Sequence, residues 1–281
     1  MPDPARLLRT LHQAVQAFRD TPGRRGRVVA PEQATEVFAV GDLHGNLEIF
    51  KRVLEHAKLA SFPGRHLVLQ EVVHSPFLYP AGGDKSHQLL DLIAALKCQF
   101  PRQVHFLLGN HELAQWIGQA IAKNDIDFNE VFREGVRTAY GSRADEVYAA
   151  YLEVLAVVPL AVRTANRVFL SHSFPNAKRL PAFDLAVLEQ DGAGEADVRL
   201  GGSIHALVWG RDPSAEAATA FLQKVDADLL ITGHIPCDRG FDVPNDRQLI
   251  LDAAKAPACY CLFPTDRPLT QDELIACVGT L

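Results

Sequence analysis

The spacing of apolar residues changes near residue 36, and that change organises the chain. Over residues 4–19, PARLLRTLHQAVQAFR, Leu7, Leu8, Leu11, Val15 and Phe18 recur at helical spacing, which predicts an amphipathic N-terminal helix. The basic GRRGR at 23–27 reads as a solvated linker, so residues 1–30 are expected to form a helix and linker ahead of a domain spanning 31–281. From residue 36 short β-branched runs alternate with longer helical segments: strand 36–41, helix 46–59, strand 66–73, helix 86–98 and strand 103–108. Residues 112–158 contain no convincing strand and are expected to be an all-helical insertion. Strands then return near 160–164, 167–172, 205–208, 228–232, 248–252 and 258–263, with helices near 183–190, 214–224 and 270–278. The alternation predicts an α/β fold with helices against the faces of a β-sheet. GDKS at 83–86 suits a turn with an N-cap at Ser86.

Several predicted strands end in polar residues. EVFAVGDLHGN stops being apolar at Gly41 and delivers Asp42 and His44 just beyond the strand's C-terminal edge. LVLQEVVHS, residues 67–75, carries Glu71 and His74 at the end of a run apolar enough to be buried, where an unpartnered carboxylate costs several kcal/mol. VHFLLGNHE ends in Asn110, His111 and Glu112, and later strands end at His172 and His234. Taken singly, Asn110 or His44 reads equally well as a helix cap or a surface group. Taken together, they fall where sites form in open α/β sheets, outside the carboxyl ends of the strands. Oxygen and imidazole donors without thiolate suit Mn, Fe, Zn or Co. Six such side chains shared between two ions would leave coordination positions open, the arrangement of a two-metal hydrolase.

Composition narrows the classes. A chain that is 48% hydrophobic and 22% charged is ordinary globular protein, and a net charge of −6 argues against broad nucleic-acid or anionic-membrane binding. The N-terminus lacks the apolar core of a signal peptide, and no apolar run approaches the ~20 residues that span a bilayer, so a cytoplasmic location is expected. Five cysteines, Cys98, Cys237, Cys259, Cys261 and Cys277, are scattered without paired C-x-x-C spacing and read as reduced and mostly buried.

The ordered stretches GDLHG, LQEVVHS, LLGNHE, SHS, LVWGRDP and ITGHIP resemble the calcineurin-like metallophosphoesterases, most closely their serine/threonine phosphoprotein phosphatase branch and its bacterial relatives. The resemblance implies a four-layer α/β/β/α sandwich with two divalent ions (Mn, Fe or Zn) at one edge. It implies hydrolysis of a phosphomonoester, carried by a phosphoprotein or a small phosphoester, by in-line attack of activated water. Carried over position by position, Asp42 and His44 would hold the first ion, Asn110, His172 and His234 the second, and Glu71 both. Asn110 would also contact the phosphoryl group, and His111 would protonate the leaving oxygen.

One motif departs from the family. Where the family reads GDxVDRG, this chain reads Gln70, Glu71, Val72, Val73, His74, Ser75. His74 therefore stands in for the aspartate that orients the catalytic histidine, and Ser75 for a phosphate-gripping arginine. Arg211, Arg239 and Lys85 are the candidates to replace that grip. Two other readings stay open: a phosphodiesterase or nucleotide pyrophosphatase using the same site, and a catalytically impaired binding protein that keeps the fold.

Overall fold

The computed structural model describes residues 3–123 and 126–281, and two β-sheets lie face to face at its centre. The smaller sheet runs in the order Val278–Thr280, Cys259–Pro264, Glu36–Asp42, Arg65–Gln70, Val104–Leu107, the last three strands being parallel. The larger runs Arg24–Arg25, Val28–Val29, Ala161–Arg163, Val168–Ser171, Leu229–Thr232, Gln248–Leu251, Phe241–Asn245, with a parallel centre at 168–171, 229–232 and 248–251.

Side-chain alternation explains the layers. Val37, Ala39, Val68 and Leu107 point between the sheets and meet Leu170, Ile231, Leu249 and Leu251 of the other one. Phe38, Val40, Leu67, Leu69 and Phe106 point outward into a second core with Phe50 and Val53 of helix Leu47–Ala57 and Leu90 and Ile93 of helix His87–Gln99. On the far side, Phe169 packs edge-on against Phe221 of helix Ala215–Lys224 with ring centroids 5.6 Å apart. The result is a four-layer helix, sheet, sheet, helix sandwich. Because both faces of the central strands are covered, they read as nearly continuous apolar runs.

Helix Pro4–Arg19 forms where its spacing predicts, capped by Asp3, whose Oδ1 accepts from Ala5 N at 2.9 Å. Its buried Leu11 and Phe18 pack between helices His87–Gln99 and Ala144–Val157, each burial contributing roughly 1.5–3 kcal/mol.

Four expectations are corrected. Residues 23–27 are not a solvated linker: Arg24–Arg25 pairs with Val28–Val29 and extends the larger sheet, and Arg27 is fully buried. Backbone carbonyls accept from both side chains, Arg24 Nη1 donating to Phe18 O and Val157 O, and Arg27 Nη2 to Val158 O, while Arg27 Nε and Nη1 have no hydrogen-bond partner among the described residues. The 112–158 insertion is not all helical, because Ala122–Lys123 and Ile126–Asp127 form a short antiparallel hairpin; Asn124 and Asp125, like Met1 and Pro2 of the expected N-terminal segment, lie outside the described residues. The predicted strand 205–208 lies inside helix Ser203–Trp209, where Ile204, Leu207 and Val208 share one buried face, a spacing that a four-residue apolar run hides. Finally, Ser86 does not cap its helix with its side chain; its Oγ bonds to Asp84 Oδ2 and accepts from His74 N. All five cysteines are free thiols, and among the described residues no helix is long and apolar enough to cross a membrane.

Candidate metal centre

Five of the parallel strands deliver the polar residues that end or follow them to one edge of the sandwich. Asp42 closes strand Glu36–Asp42, Glu71 follows Arg65–Gln70, Asn110 opens helix Asn110–Ile117, His172 follows Val168–Ser171, and His234 lies just beyond Leu229–Thr232. The chain reverses sharply at several of these points: His44, Glu71, His74 and His234 have φ values of 40°, 39°, 63° and 68°. Left-handed backbone at a non-glycine residue costs of order 1–3 kcal/mol and persists where the surroundings impose it. Two glycines give the side chains room. A Cβ on Gly233 would collide with Asp42 Oδ1, and one on Gly109 would sit 2.7 Å from Glu71 Oε2.

Glu71 lies at the middle of the cluster. Its Oε1 is 3.1 Å from His44 Nε2 and its Oε2 is 2.9 Å from His172 Nε2. His172 Nε2 also lies 2.9 Å from Asn110 Oδ1 and 3.3 Å from His234 Nδ1. Asp42 Oδ1 is 3.7 Å from His172 Nδ1, while Asp42 Oδ2 accepts from His234 N at 2.9 Å. Two overlapping sets of donor atoms result, His44–Glu71–His111 and Glu71–His172–His234, each within 4.8 Å. Glu71 belongs to both.

The partners behind these side chains prepare them as ligands. His44 Nδ1 donates to Val73 O at 3.0 Å and His172 Nδ1 to Gln70 Oε1 at 3.1 Å, so in each ring Nδ1 is engaged and Nε2 is the nitrogen that faces Glu71. Glu112 Oε1 accepts from Val72 N and Val73 N at 2.8 and 3.0 Å and fixes the loop that carries Glu71. Asp84 Oδ2 accepts from Ser75 N at 2.9 Å and does the same for the next turn.

Electrostatically the site is short of positive charge. Burial and the neighbouring Glu71 push Asp42 up to about 7 and Glu112 up to about 7. Burial also opposes ionisation of Glu71, but the charges of His172 and His111 and the hydrogen bonds from His172 and His44 outweigh it and hold Glu71 well below the usual carboxylate range. The reverse holds at His44, where burial is outweighed by Glu71 and Asp42, raising it to about 10. Two buried carboxylate oxygens, Asp42 Oδ1 and Glu112 Oε2, have no hydrogen-bond partner among the described residues. An unpaired lone pair on Asp42 beside clustered imidazole and carboxylate donors fits divalent cations, which would also remove the mutual repulsion.

Beside this cluster stand the other expected residues. His111 Nε2 is 3.9 Å from Glu71 Oε1, and its Nδ1 lies 2.8 Å from His74 Nδ1. Burial lowers His111 to about 4 and His74 to about 3. Arg211 reaches the cluster, its Nε donating to His234 Nε2 at 2.9 Å, and its own N–H is anchored on Asn176 Oδ1 at 2.7 Å. Arg239 and Lys85 make their contacts elsewhere: exposed Arg239 lies over Phe241 and 3.8 Å from Asp242, and Lys85 lies over the Tyr79 ring. Ser75 Oγ accepts from Phe77 N within its own turn. The sequence names Glu112 at the strand end without a role, and gives none to Gln70 or Gln115. Glu112 adjoins His111, and Gln115 lies one helical turn beyond it, so both spacings carried a signal; the role of Gln70 depends on a contact 102 positions away in the chain.

Comparison with known proteins places this geometry. Residues 35–238 match the family described as calcineurin-like phosphoesterase. An Encephalitozoon cuniculi protein named "probable serine/threonine-protein phosphatase" is 24% identical over 266 residues, covering 84% of this chain and 52% of that protein. Serine/threonine-protein phosphatase 5 of Solanum lycopersicum is 23% identical, covering 79% of this chain and 39% of that protein. The chain thus spans about half or less of the length of these curated relatives. Among solved structures, a Saccharomyces cerevisiae serine/threonine phosphatase with similarity to human phosphatase PP5 superposes with TM-score 0.71 at 15% identity, covering 100% of this chain and 90% of that one. A cold-active protein-tyrosine phosphatase of a psychrophilic Shewanella superposes with TM-score 0.62 at 15% identity, covering 95% and 84%. At such identities the superpositions establish the shared fold.

Proposed function

Since the chain belongs to the calcineurin-like phosphoesterase family, we propose that it is a metal-dependent hydrolase of phosphomonoesters. The observation that carries this reading is one connected cluster: His44 and His172 lie on the two oxygens of Glu71, Asn110 and His234 lie against His172, and Asp42 lies 3.7 Å from the same ring. Asp42 and His44 would hold one divalent ion and Asn110, His172 and His234 the other, with Glu71 touching both. Bound there, two ions of the Mn, Fe or Zn kind would supply a nucleophilic water and charge stabilisation for the phosphoryl oxygens.

The chain's own residues do the rest. The Asn110 amide and the Arg211 guanidinium orient the phosphoryl group, Arg211 replacing the grip absent at Ser75. His111 Nε2 delivers a proton to the leaving oxygen, and His74 holds the far side of the same ring. The names of the curated relatives and of the solved neighbours favour a phosphoprotein as substrate, with a small phosphoester as the other member of the class.

The test joins metal analysis of the purified chain to turnover on a monoester, a diester and a dinucleotide pyrophosphate. Close to two ions per chain and preferred monoester hydrolysis are expected. A chain that holds no metal and gains none, with no turnover, refutes the reading and leaves a binding protein; preferred cleavage of the diester or pyrophosphate shifts the reaction to that bond.

A further inference from the structure

His74 lies at one end of a hydrogen-bonded line that leaves the metal cluster. Its Nδ1 faces His111 Nδ1 at 2.8 Å and its Nε2 faces Gln115 Oε1 at 2.9 Å, while Gln115 Nε2 donates to the Tyr148 hydroxyl at 2.6 Å. The other walls are aromatic: Phe128 and Phe132 lie 5.8 and 6.3 Å from the His74 ring, and Phe128 stacks on His111 at 6.1 Å. Gln115 projects from helix Asn110–Ile117 and Tyr148 from helix Ala144–Val157.

We propose that Gln115 and Tyr148 are positioning residues that fix the tautomers of His74 and His111, replacing the carboxylate absent at position 74. The argument follows the hydrogens. Tyr148 takes the amide N–H, so the amide oxygen is turned to His74, and an amide oxygen only accepts. His74 Nε2 therefore carries the hydrogen, and Nδ1 of the neutral ring is bare. That bare nitrogen accepts from His111 Nδ1–H. His111 Nε2 is left on the Glu71 side, 3.9 Å from Glu71 Oε1, while its Nδ1 is held by His74.

The reversed amide inverts every step. Gln115 would donate to His74 Nε2, His74 Nδ1–H would donate to His111 Nδ1, and the hydrogen of His111 would sit on Nε2 instead of Nδ1. A histidine can thus serve where the family has an aspartate, provided that a neighbour settles which of its nitrogens accepts. Gln115 and Tyr148 are that neighbour. The proposal rests on the reading of His111 as the leaving-group acid, yet its first test does not depend on turnover.

Imidazole nitrogen NMR of the full chain at one neutral pH identifies the protonated nitrogen of each ring. The expected pattern is Nε2–H at His74 and Nδ1–H at His111. Gln115→Glu, which keeps an acceptor, preserves it; Gln115→Lys, which offers only donors, reverses both rings; Tyr148→Phe frees the amide to turn and gives a mixture. Wild-type rings with the opposite pattern, or patterns unchanged in Gln115→Lys and Tyr148→Phe, overturn the proposal. Should Gln115→Lys unfold, Tyr148→Phe decides. In turnover, Gln115→Leu should lose on the order of 10- to 100-fold on an alkyl phosphomonoester, against a few-fold on an aryl one, with Gln115→Glu recovering most of the loss. Equal losses on both esters contradict the positioning role, whereas a wild-type chain that hydrolyses neither ester defeats the functional reading and leaves the tautomer result standing.

Discussion

Replacing Glu71 by aspartate restores the residue found in the family motif, yet in this chain it should weaken metal binding. The substitution withdraws the carboxylate by one C–C bond, roughly 1.5 Å. The present contacts to His44 and His172 are 3.1 and 2.9 Å, so without backbone movement they open to roughly 4 Å or more. The backbone is poorly placed to follow. Glu71 O accepts from Leu43 N and His44 N at 2.8 and 3.0 Å, and Glu112 Oε1 pins the next two amides. Loss of even a supporting partner lowers metal affinity about 10- to 100-fold, about 1.4–2.8 kcal/mol, and Glu71 touches both donor sets. Folding of the metal-free chain should respond in the other direction, because aspartate tolerates left-handed backbone better than glutamate. Titration calorimetry of stripped protein with Mn²⁺ or Zn²⁺, beside urea unfolding of the stripped protein, measures the two effects separately. Aspartate binding metal as tightly as glutamate would refute the claim that this loop is built around the longer side chain.

Three further outcomes follow from the geometry. Buried Lys97, held by Thr21 Oγ1, Pro101 O and Val104 O at 2.7, 2.7 and 2.9 Å, is lowered by burial from 10.5 to about 7. The unfolded chain therefore binds more protons between those values, so this group's stabilising share is absent below about pH 7 and grows as pH rises; wild type should gain about 2 kcal/mol over Lys97→Met between about pH 7 and 8.5, and parallel urea midpoints would exclude it. Gly233→Ala places a methyl group against Asp42 Oδ1, and metal content of the purified variant should fall to below half that of wild type; full occupancy would show that the turn yields. Arg211→Ala should raise KM for a phosphomonoester about 10- to 100-fold, the loss of one charged hydrogen bond of roughly 1.5–3 kcal/mol, with a smaller change in kcat. An unchanged KM would return the phosphate grip to another residue.

Much of the architecture could be read from the pattern of residues, for an identifiable reason. Strands covered on both faces announce themselves as apolar runs, and the α/β arrangement obliges the polar residues that end them to share one edge. Hence Asp42, Asn110, His172 and His234, spread over nearly two hundred positions, could be expected together. What escaped depends on tertiary partners. The arginines at 24 and 27 look solvated in the sequence because nothing there reveals the carbonyls at 18, 157 and 158 that take their hydrogens. Ile204, Leu207 and Val208 form too short a run to distinguish a strand from a helix. Arg211 is the stronger candidate in the sequence by its place after the tryptophan of VWGRDP, and its contact with His234 and anchor on Asn176 are what set it apart from Arg239 and Lys85 in the fold. Gln70, Gln115 and Tyr148 act through residues that other elements bring beside them.

The left-handed backbone at 44, 71, 74 and 234 places stability and chemistry in opposition at four separate positions. Glycine or asparagine at any of them would relax the chain while removing an imidazole or a carboxylate. Thermostability screening without an accompanying metal or turnover readout would therefore enrich for variants that survive heat by emptying the site.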